Sequence, residues 1–276
     1  MLAARLPVFL AVLAIMSLAE ALAPRRTQVD RTVSRRLSNA VLLAVGATIL
    51  RLVPVLSAAG AATWAEAHRI GLLALVDWPL WAELVVTVAL FDLLIYAQHV
   101  ALHRTPLLWR VHKVHHADSD LDATSALRFH PGEILLSAAI KSAAAVALGA
   151  PASGVVLFEI VLNAAAIFNH ANLAIPPRVD RWLRLAVVTP DMHRVHHSVR
   201  RAETDSNFGF SFPWWDRIFG TYRAQPEGGH ESLELGLADA RRPESNRDLR
   251  VLLGMPFRSA KTAARRDTPK RTGGGR

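Results

Sequence analysis

Cysteine is absent from the 276-residue sequence. Disulfide bonds, zinc sites built from thiolates and cysteine-ligated iron–sulfur clusters are therefore all excluded. A bound metal would have to be held by histidine, carboxylate or water. The helix motif HExxH is also absent, which argues against an ordinary metalloprotease.

Acidic residues are fewer than basic ones, with 23 Asp and Glu against 32 Lys and Arg, so the formal net charge is +9. Much of the excess lies at 25–36 and in the tail at 258–276. Such clusters could bind nucleic acid. Beside long apolar segments, however, they are more often topology signals that face the cytoplasm and anionic lipid. We therefore expect a membrane as the partner, and no nucleic acid.

Hydrophobic residues make up 51% of the sequence, and this favours residence in a membrane. Five apolar runs are present: 6–23, 37–57, about 80–100, 134–149 and 152–171. The first is interpreted as a retained helix rather than a cleaved signal, because Glu20 lies within it and proline follows it. The fourth is short and contains Lys141, so it could dip into the bilayer without crossing it. The stretch 58–79 predicts a loop or an interfacial segment.

The basic segment 24–36 is expected to lie in the cytoplasm by the positive-inside rule. The second run then leads out and the third leads back, so that the histidines at 99–130 fall at the cytoplasmic surface. A membrane hairpin at about 134–171 returns the histidines at 170–197 to the same side. The localisation predicted is a multi-pass membrane protein with all these histidines on the cytoplasmic face.

These patterns predict an all-α fold, a polytopic membrane bundle of about four or five segments with a cytoplasmic helical cap that carries the histidines. Three regions are expected. Residues 1–89 hold N-terminal membrane helices, 90–222 form a catalytic domain that includes the hairpin, and 223–276 are a polar, partly disordered tail.

Ten of the twelve histidines fall between positions 99 and 197: His99, His103, His112, His115, His116, His130, His170, His193, His196 and His197. Spacings of three and four residues place side chains on one helix face. Clustered imidazoles would repel one another when protonated, whereas neutral imidazole is the commonest metal ligand, so the clustering predicts metal binding. The isolated His68 and His230 are interpreted as ordinary paired or solvated histidines.

The number of candidate ligands, eight to ten, exceeds the three or four that one zinc ion needs and suits two ions with open positions. Imidazole accepts Zn, Fe, Cu or Ni, so the ligand type alone does not choose the metal. Two carboxylates are candidates for supporting roles. Asp92 shares a helix stripe with His99; we favour a hydrogen bond from a ligand imidazole to this carboxylate over the alternative, pairing with an arginine. Asp191 either supports a ligand in the same way or, as we favour, caps the helix that carries His193.

Six segments carry a specific pattern: "HVALH" at 99–103, "HKVHH" at 112–116, "ALRFHPGE" at 126–133, "FNHAN" at 168–172, "HRVHH" at 193–197 and "ETDSNFGF…WWDRIFGTY" at 203–222. In order and spacing, these segments resemble the fatty acid hydroxylase/sterol desaturase superfamily of integral-membrane di-iron oxygenases. The resemblance covers about half of the chain.

The resemblance implies two iron ions, which zinc can replace on purification, and O2 as co-substrate. It implies that the eight histidines of the "HVALH", "HKVHH" and "HRVHH" boxes are ligands, with His170 as a further one. Some members of the superfamily have another histidine four residues after His170, where this sequence has Ala174. His130 is predicted to fill that vacancy or to lie beside the ligands.

The implied reaction is hydroxylation or desaturation of a lipid of sterol, fatty acyl or isoprenoid type. The sequence has no GxGxxG fingerprint, cysteine cluster or fused haem motif. Electrons are therefore expected from a separate ferredoxin or flavoprotein reductase. Two alternatives from other classes are a membrane histidine-rich metal-binding or transport protein and a zinc-dependent membrane hydrolase.

Overall fold

A computed structural model of the protein describes residues 4–30, 32–238 and 247–258. Within these ranges the secondary structure is helical, apart from two isolated β-bridges. The α-helices are α1 (Arg5–Leu22), α2 (Val33–Arg51), α3 (Ala58–His68), α4 (Leu80–Arg104), α5 (Pro106–His116), α6 (Pro131–Leu148), α7 (Ala152–His170), α8 (Pro177–Leu183), α9 (Pro190–His196), α10 (Arg201–Thr204), α11 (Trp214–Ile218) and α12 (Leu249–Gly254). The disorder predicted for the last twenty or so residues falls outside the described ranges.

Five of these helices, α1, α2, α4, α6 and α7, are long and apolar enough to cross a membrane. Many of their large apolar side chains point outwards, as Leu6, Leu22 and Val85 do. That exposure would be costly in water but suits contact with lipid tails. The prediction of an all-α bundle with about five membrane segments is confirmed. Helix α6 reaches spanning length even though it contains Lys141.

Helix α3 shows that residues 58–68 are not the loop that the sequence-based interpretation of 58–79 allowed; the alternative of an interfacial segment stays a prediction. Ser57 caps this helix by accepting a hydrogen bond from the Gly60 backbone N–H at 3.2 Å. The buried side chains of α3 are alanines, and the helix packs against α6 and α7. Alanine has the highest helix propensity and allows close helix packing. The sequence pattern was weak because the helix has only 11 residues and its faces differ little in polarity.

Two breaks in the chain orient the membrane helices. Pro106, which starts α5, cannot donate the backbone hydrogen bond that would continue α4. Gly149 ends α6 with a φ of 62°, and a Cβ there would lie 2.4 Å from the Ile70 carbonyl oxygen. Only glycine fits both the left-handed conformation and this close approach. The chain then turns directly into α7.

Buried polar contacts attach α1 and α2 to the segments that carry the histidines. The Glu20 carboxylate at the end of α1 accepts hydrogen bonds from the Ala123 N–H at 2.9 Å and the Asn172 N–H at 3.0 Å. Arg35 in the first turns of α2 is fully buried and pairs with Asp118 and Asp122. The two N-terminal helices are therefore integral to the histidine-bearing end of the bundle.

Candidate metal centre

The structure brings nine of the ten predicted histidines together in two buried groups. The first group contains His99, His103, His112, His116 and His196. The second group contains His115, His170, His193 and His197. Within each group the candidate ligand atoms lie within 4.8 Å of one another. Four segments supply them: the end of α4, the end of α5, the end of α7, and α9 with the residue that follows it.

Each His-x-x-His-His triplet is divided between the two groups. In α5, His112 and His116 belong to the first group and His115 to the second. At α9 the division is reversed, with His196 in the first group and both His193 and His197 in the second. Residues four apart share a helix face, whereas adjacent residues diverge by about 100°. One turn of helix therefore serves two neighbouring sites.

Five imidazoles are held in a defined tautomer because their Nδ1 atoms contact groups that only accept hydrogen bonds. The acceptors are the carbonyl oxygens of Phe208 for His99, Arg128 for His115, Ala166 for His170 and Ser206 for His196, and the Glu133 carboxylate for His112. These Nδ1–H donors lie 2.7–3.2 Å from their acceptors. In a neutral imidazole the opposite nitrogen, Nε2, must then carry a bare lone pair.

These lone pairs face each other. The Nε2 atoms of His99 and His112 are 3.1 Å apart in the first group, and those of His115 and His170 are 3.1 Å apart in the second. Two opposed lone pairs repel unless a cation lies between them. Two nitrogens bound to one ion at about 2.1 Å lie about 3.0–3.4 Å apart, so the spacing fits shared coordination.

Other imidazoles of the two groups also have ring nitrogens that are free to bind a metal ion. Among the residues that the structure describes, both ring nitrogens of His116 and Nε2 of His103 are buried without a hydrogen-bond partner. His103 Nδ1 faces the Asp205 carboxylate at 3.4 Å. Buried polar atoms are rarely left unsatisfied unless a ligand or ion completes them. The donor set of both groups therefore fits a metal ion.

Burial also sets the charge state of the imidazoles outside the membrane helices. It lowers the pKa of His196 to about 3, and it lowers the pKa of His115, His116, His193 and His197 well below the usual value. Repulsion between neighbouring imidazoles adds to the effect of desolvation. The rings stay neutral at pH 7, which is the form that binds metal.

Glu133 is a site residue that the sequence reasoning missed. It lies in the first turn of α6 and accepts a hydrogen bond from His112 Nδ1 at 2.8 Å. Carboxylates in this position orient a metal-bound imidazole and raise its basicity. The sequence signal was the acidic residue of "HPGE", one helical turn from a histidine, but only the crossing of α5 and α6 reveals its partner.

Two predicted site residues, His130 and Asp92, have other partners in the structure. His130 lies in neither histidine group; its Nδ1 accepts from the Gly132 N–H at 3.0 Å and so caps α6. The Asp92 carboxylate accepts hydrogen bonds from Trp215 Nε1 at 2.8 Å and the Ser211 N–H at 3.3 Å, rather than from an imidazole.

The cap predicted for Asp191 is a further correction, because Thr189 caps α9 instead. Asp191 pairs with Arg25 and Arg194. The arginines hold the pKa of this carboxyl below its usual value despite the opposing effect of burial. Asp191 therefore links α9 to the segment that joins α1 to α2.

Residues 84–221, half of the chain, match a family model described as fatty acid hydroxylase. The chain belongs to the fatty acid hydroxylase family. The match runs from the start of α4 to the end of the "WWDRIFGTY" segment, so it includes every member of both histidine groups. No solved structure matches this family member.

Several curated proteins are similar to this fatty acid hydroxylase family member. The ornithine lipid hydroxylase OlsE of Rhizobium tropici is 28% identical over 161 residues, which are 58% of this chain and 47% of that protein. The alkylglycerol monooxygenase of Homo sapiens is 29% identical over 48% of this chain and 28% of its own length. The cholesterol 25-hydroxylase of Rattus norvegicus is 25% identical over 53% and 49%. The match thus covers less than half the length of each relative.

Proposed function

We propose that this protein is a membrane di-iron, O2-dependent hydroxylase that acts on a lipid. The observation that carries the proposal is the pair of buried histidine groups, in which unprotonated ring nitrogens face one another at 3.1 Å. The relatives named above are hydroxylases or a monooxygenase, which favours hydroxylation over desaturation. Zinc could fill the same positions but has no redox chemistry, which favours iron.

When bound, the two irons would supply O2-dependent oxidation of a C–H bond, which side-chain acid–base chemistry cannot achieve. The nine histidines would hold them, five at one position and four at the other. The carbonyl and carboxylate partners of the Nδ1 atoms keep the rings turned so that Nε2 points inwards. Burial keeps these rings neutral and excludes bulk water from the site.

The substrate is proposed to reach the first histidine group through a cavity of about 210 Å³. His99 and His112 line one end of this cavity, and apolar side chains of α1, α2, α4, α6 and α7 form most of its wall. An apolar wall that ends at candidate metal ligands suits a lipid chain. The second histidine group contributes no side chain to this wall, so the first group is the proposed site of C–H oxidation.

We place the histidine groups on the cytoplasmic side, where a ferredoxin or flavoprotein reductase would supply electrons. The positive-inside rule supports this orientation, because the basic segment 24–36 joins α1 to α2 at the histidine-bearing end. The net charge of +9 would favour an acidic partner. A transporter is less consistent, because transporters place ligands near the bilayer midplane and these histidines lie at helix ends.

The test is to purify the protein, load it with Fe(II), count bound metal and follow O2 consumption with a chemical reductant and membrane lipid extract. We expect about two irons per chain and a hydroxylated lipid that gains one atom from ¹⁸O2. Stoichiometric iron without any labelled lipid would contradict the hydroxylase proposal, and failure to bind iron would contradict the di-iron proposal.

A further inference from the structure

A polar surface interrupts the otherwise apolar cavity that leads to the first histidine group. Glu133, Ser137 and Lys141 lie one turn apart on the face of α6 that lines the cavity. Glu133 is at the histidine end, where it contacts His112. Lys141 lies two turns deeper, about 12 Å along the helix axis, near the middle of a membrane helix.

Lys141 is partnered by a buried carboxylate on the neighbouring helix. Its Nζ lies 3.3 Å from Glu159 of α7, and the two side chains are only 17% and 9% exposed. Within the described part of the chain, Glu159 is the only hydrogen-bonding partner of the Lys141 ammonium. An ammonium carries three donors, so two remain for a group in the cavity.

The charges around this pair do not cancel. Arg5 of α1 also approaches Glu159, at 2.7 Å, so that two cations share one carboxylate. Ionisable groups at this depth are costly and usually mark a functional site. The excess positive charge would be reduced by an oxygen lone pair or an anion in the cavity next to Lys141.

The cavity is also placed to admit a lipid from the side. Helix α1 packs along α7 and α2 along α6, while α1 and α2 do not pack closely on each other over their described lengths. Phe9 of α1 and Leu43 of α2 line the cavity on this side. In a membrane, the gap between these two helices would face lipid tails.

We propose that Lys141 binds an oxygen-bearing polar group of the lipid substrate, a hydroxyl or a carboxylate, and so determines which carbon reaches His99 and His112. The inference rests on the proposed function, because it takes the cavity as the route to the reacting metal. The separation along α6 sets the scale of the expected regiochemistry, with the oxidised carbon on the order of 12 Å from the bound oxygen. Glu159 holds the ammonium in place and competes with an anionic ligand for it.

The experiment measures binding without turnover, so its outcome is independent of iron and O2. Metal-free protein in detergent is titrated with three radiolabelled probes of one chain length, n-dodecane, 1-dodecanol and dodecanoate. Wild-type protein should bind dodecanol or dodecanoate at least about tenfold more tightly than dodecane, as expected for a hydrogen bond to a charged group. The oxygenated probe that binds more tightly identifies the chemical class of the ligand.

Two variants give opposite results if the proposal is correct. Lys141→Met should remove the preference for oxygenated probes and leave dodecane binding unchanged. Glu159→Gln should strengthen dodecanoate binding, because Lys141 loses its competing carboxylate; a gain in affinity cannot arise from misfolding. Arg51→Met, which removes a charge at the exposed end of α2, is the matched control and should bind like the wild type.

Equal affinity for all three probes, an unchanged preference in Lys141→Met or weaker dodecanoate binding in Glu159→Gln would overturn the assignment. None of these results bears on whether the protein binds iron or consumes O2. A loss of O2 consumption with the probe preference intact would instead count against the hydroxylase proposal alone.

Discussion

At the scale of single residues, the division of each histidine triplet between two groups has a direct consequence for metal content. His196 belongs to the first group and His115 to the second, and both rings are oriented by backbone carbonyls. A substitution at either position should therefore affect one metal position more than the other.

We predict that His196→Ala and His115→Ala each lower the bound iron by about half, and that the double variant binds little, because each ring supplies a ligand to a different ion. Metal analysis of the purified proteins measures this, with His68→Ala as the control because His68 is exposed on α3. Full iron content in both single variants, or complete loss in each, would contradict the assignment to separate groups.

Glu133 provides a second prediction at this scale. Glu133→Ala should weaken iron binding about 10- to 100-fold, because His112 loses the carboxylate that orients its ring. Glu133→Gln keeps an acceptor and should lose less affinity. Chelator competition measures the affinity, and Glu83→Gln in the first turn of α4 serves as the control. Equal affinity in Glu133→Ala and the control would show that the contact does not support the site.

At the scale of elements, the segment around α11 holds part of the site in place. The Asp216 carboxylate accepts hydrogen bonds from the Phe208 N–H at 2.7 Å and the Gly209 N–H at 2.8 Å. The Phe208 carbonyl in turn accepts from His99 Nδ1. The "NFGF…WWDRIFGTY" segment is therefore a clamp that connects the chain after α9 to the first histidine group.

Asp216→Ala should lower the stability of the protein by at least about 2 kcal/mol, because two buried N–H groups lose their acceptor. It should also weaken iron binding at the first group through His99. Thermal unfolding and iron content are the measurements, and Asp77→Ala, at an exposed position, is the control. An unfolding temperature equal to that of the control would argue against the clamp.

The elements differ in how far the sequence predicts them. Apolar runs in the sequence predict the five long helices α1, α2, α4, α6 and α7. A helix that crosses a membrane needs about 20 mostly apolar residues, and a run of that length is visible without knowledge of tertiary contacts. Helix α3 was missed because it is only 11 residues long and its small alanines give little periodic contrast between its two faces. The partners of Asp92 and Asp191 depend on loops that fold back from distant parts of the sequence, so spacing could not reveal them.

The histidine groups could likewise be predicted only in part from the sequence. Spacings of three and four identified the histidines, because a helix turn alone places them on one face. Which imidazoles join which group depends on how α4, α5, α7 and α9 meet, and that is a tertiary property. His130 has the same residue type but faces the end of α12, where its Nε2 lies 3.3 Å from the Leu253 carbonyl oxygen.

At the scale of the whole molecule, the two ends of the helical bundle carry different segments of the chain. The histidines lie where α4 and α7 end and α6 begins, whereas the end of α3 lies near the other end of α6, where the Leu72 N–H bonds the Ala147 carbonyl. If the proposed orientation is correct, these two ends lie on opposite sides of the membrane.

The absence of native cysteine makes this orientation measurable with single introduced thiols. Ala67→Cys, at an exposed position on α3, should react with a membrane-impermeant maleimide added outside sealed right-side-out vesicles. Ser232→Cys, at an exposed position on the histidine side, should react only after the vesicles are opened. The reverse pattern would place the histidines outside, and equal labelling of both would exclude a sealed, oriented bundle.

If the substrate enters through the gap between α1 and α2, this gap would determine whether the protein responds to the concentration of substrate in the bilayer or in water. A cavity that opens sideways into the bilayer exchanges its contents with neighbouring lipids and not with the aqueous phase. Its occupancy is then governed by the mole fraction of substrate among membrane lipids. Adding inert phospholipid at constant total substrate should slow turnover, whereas diluting the same vesicles with buffer should not. The rate of this protein would thus report the composition of the membrane in which it lies.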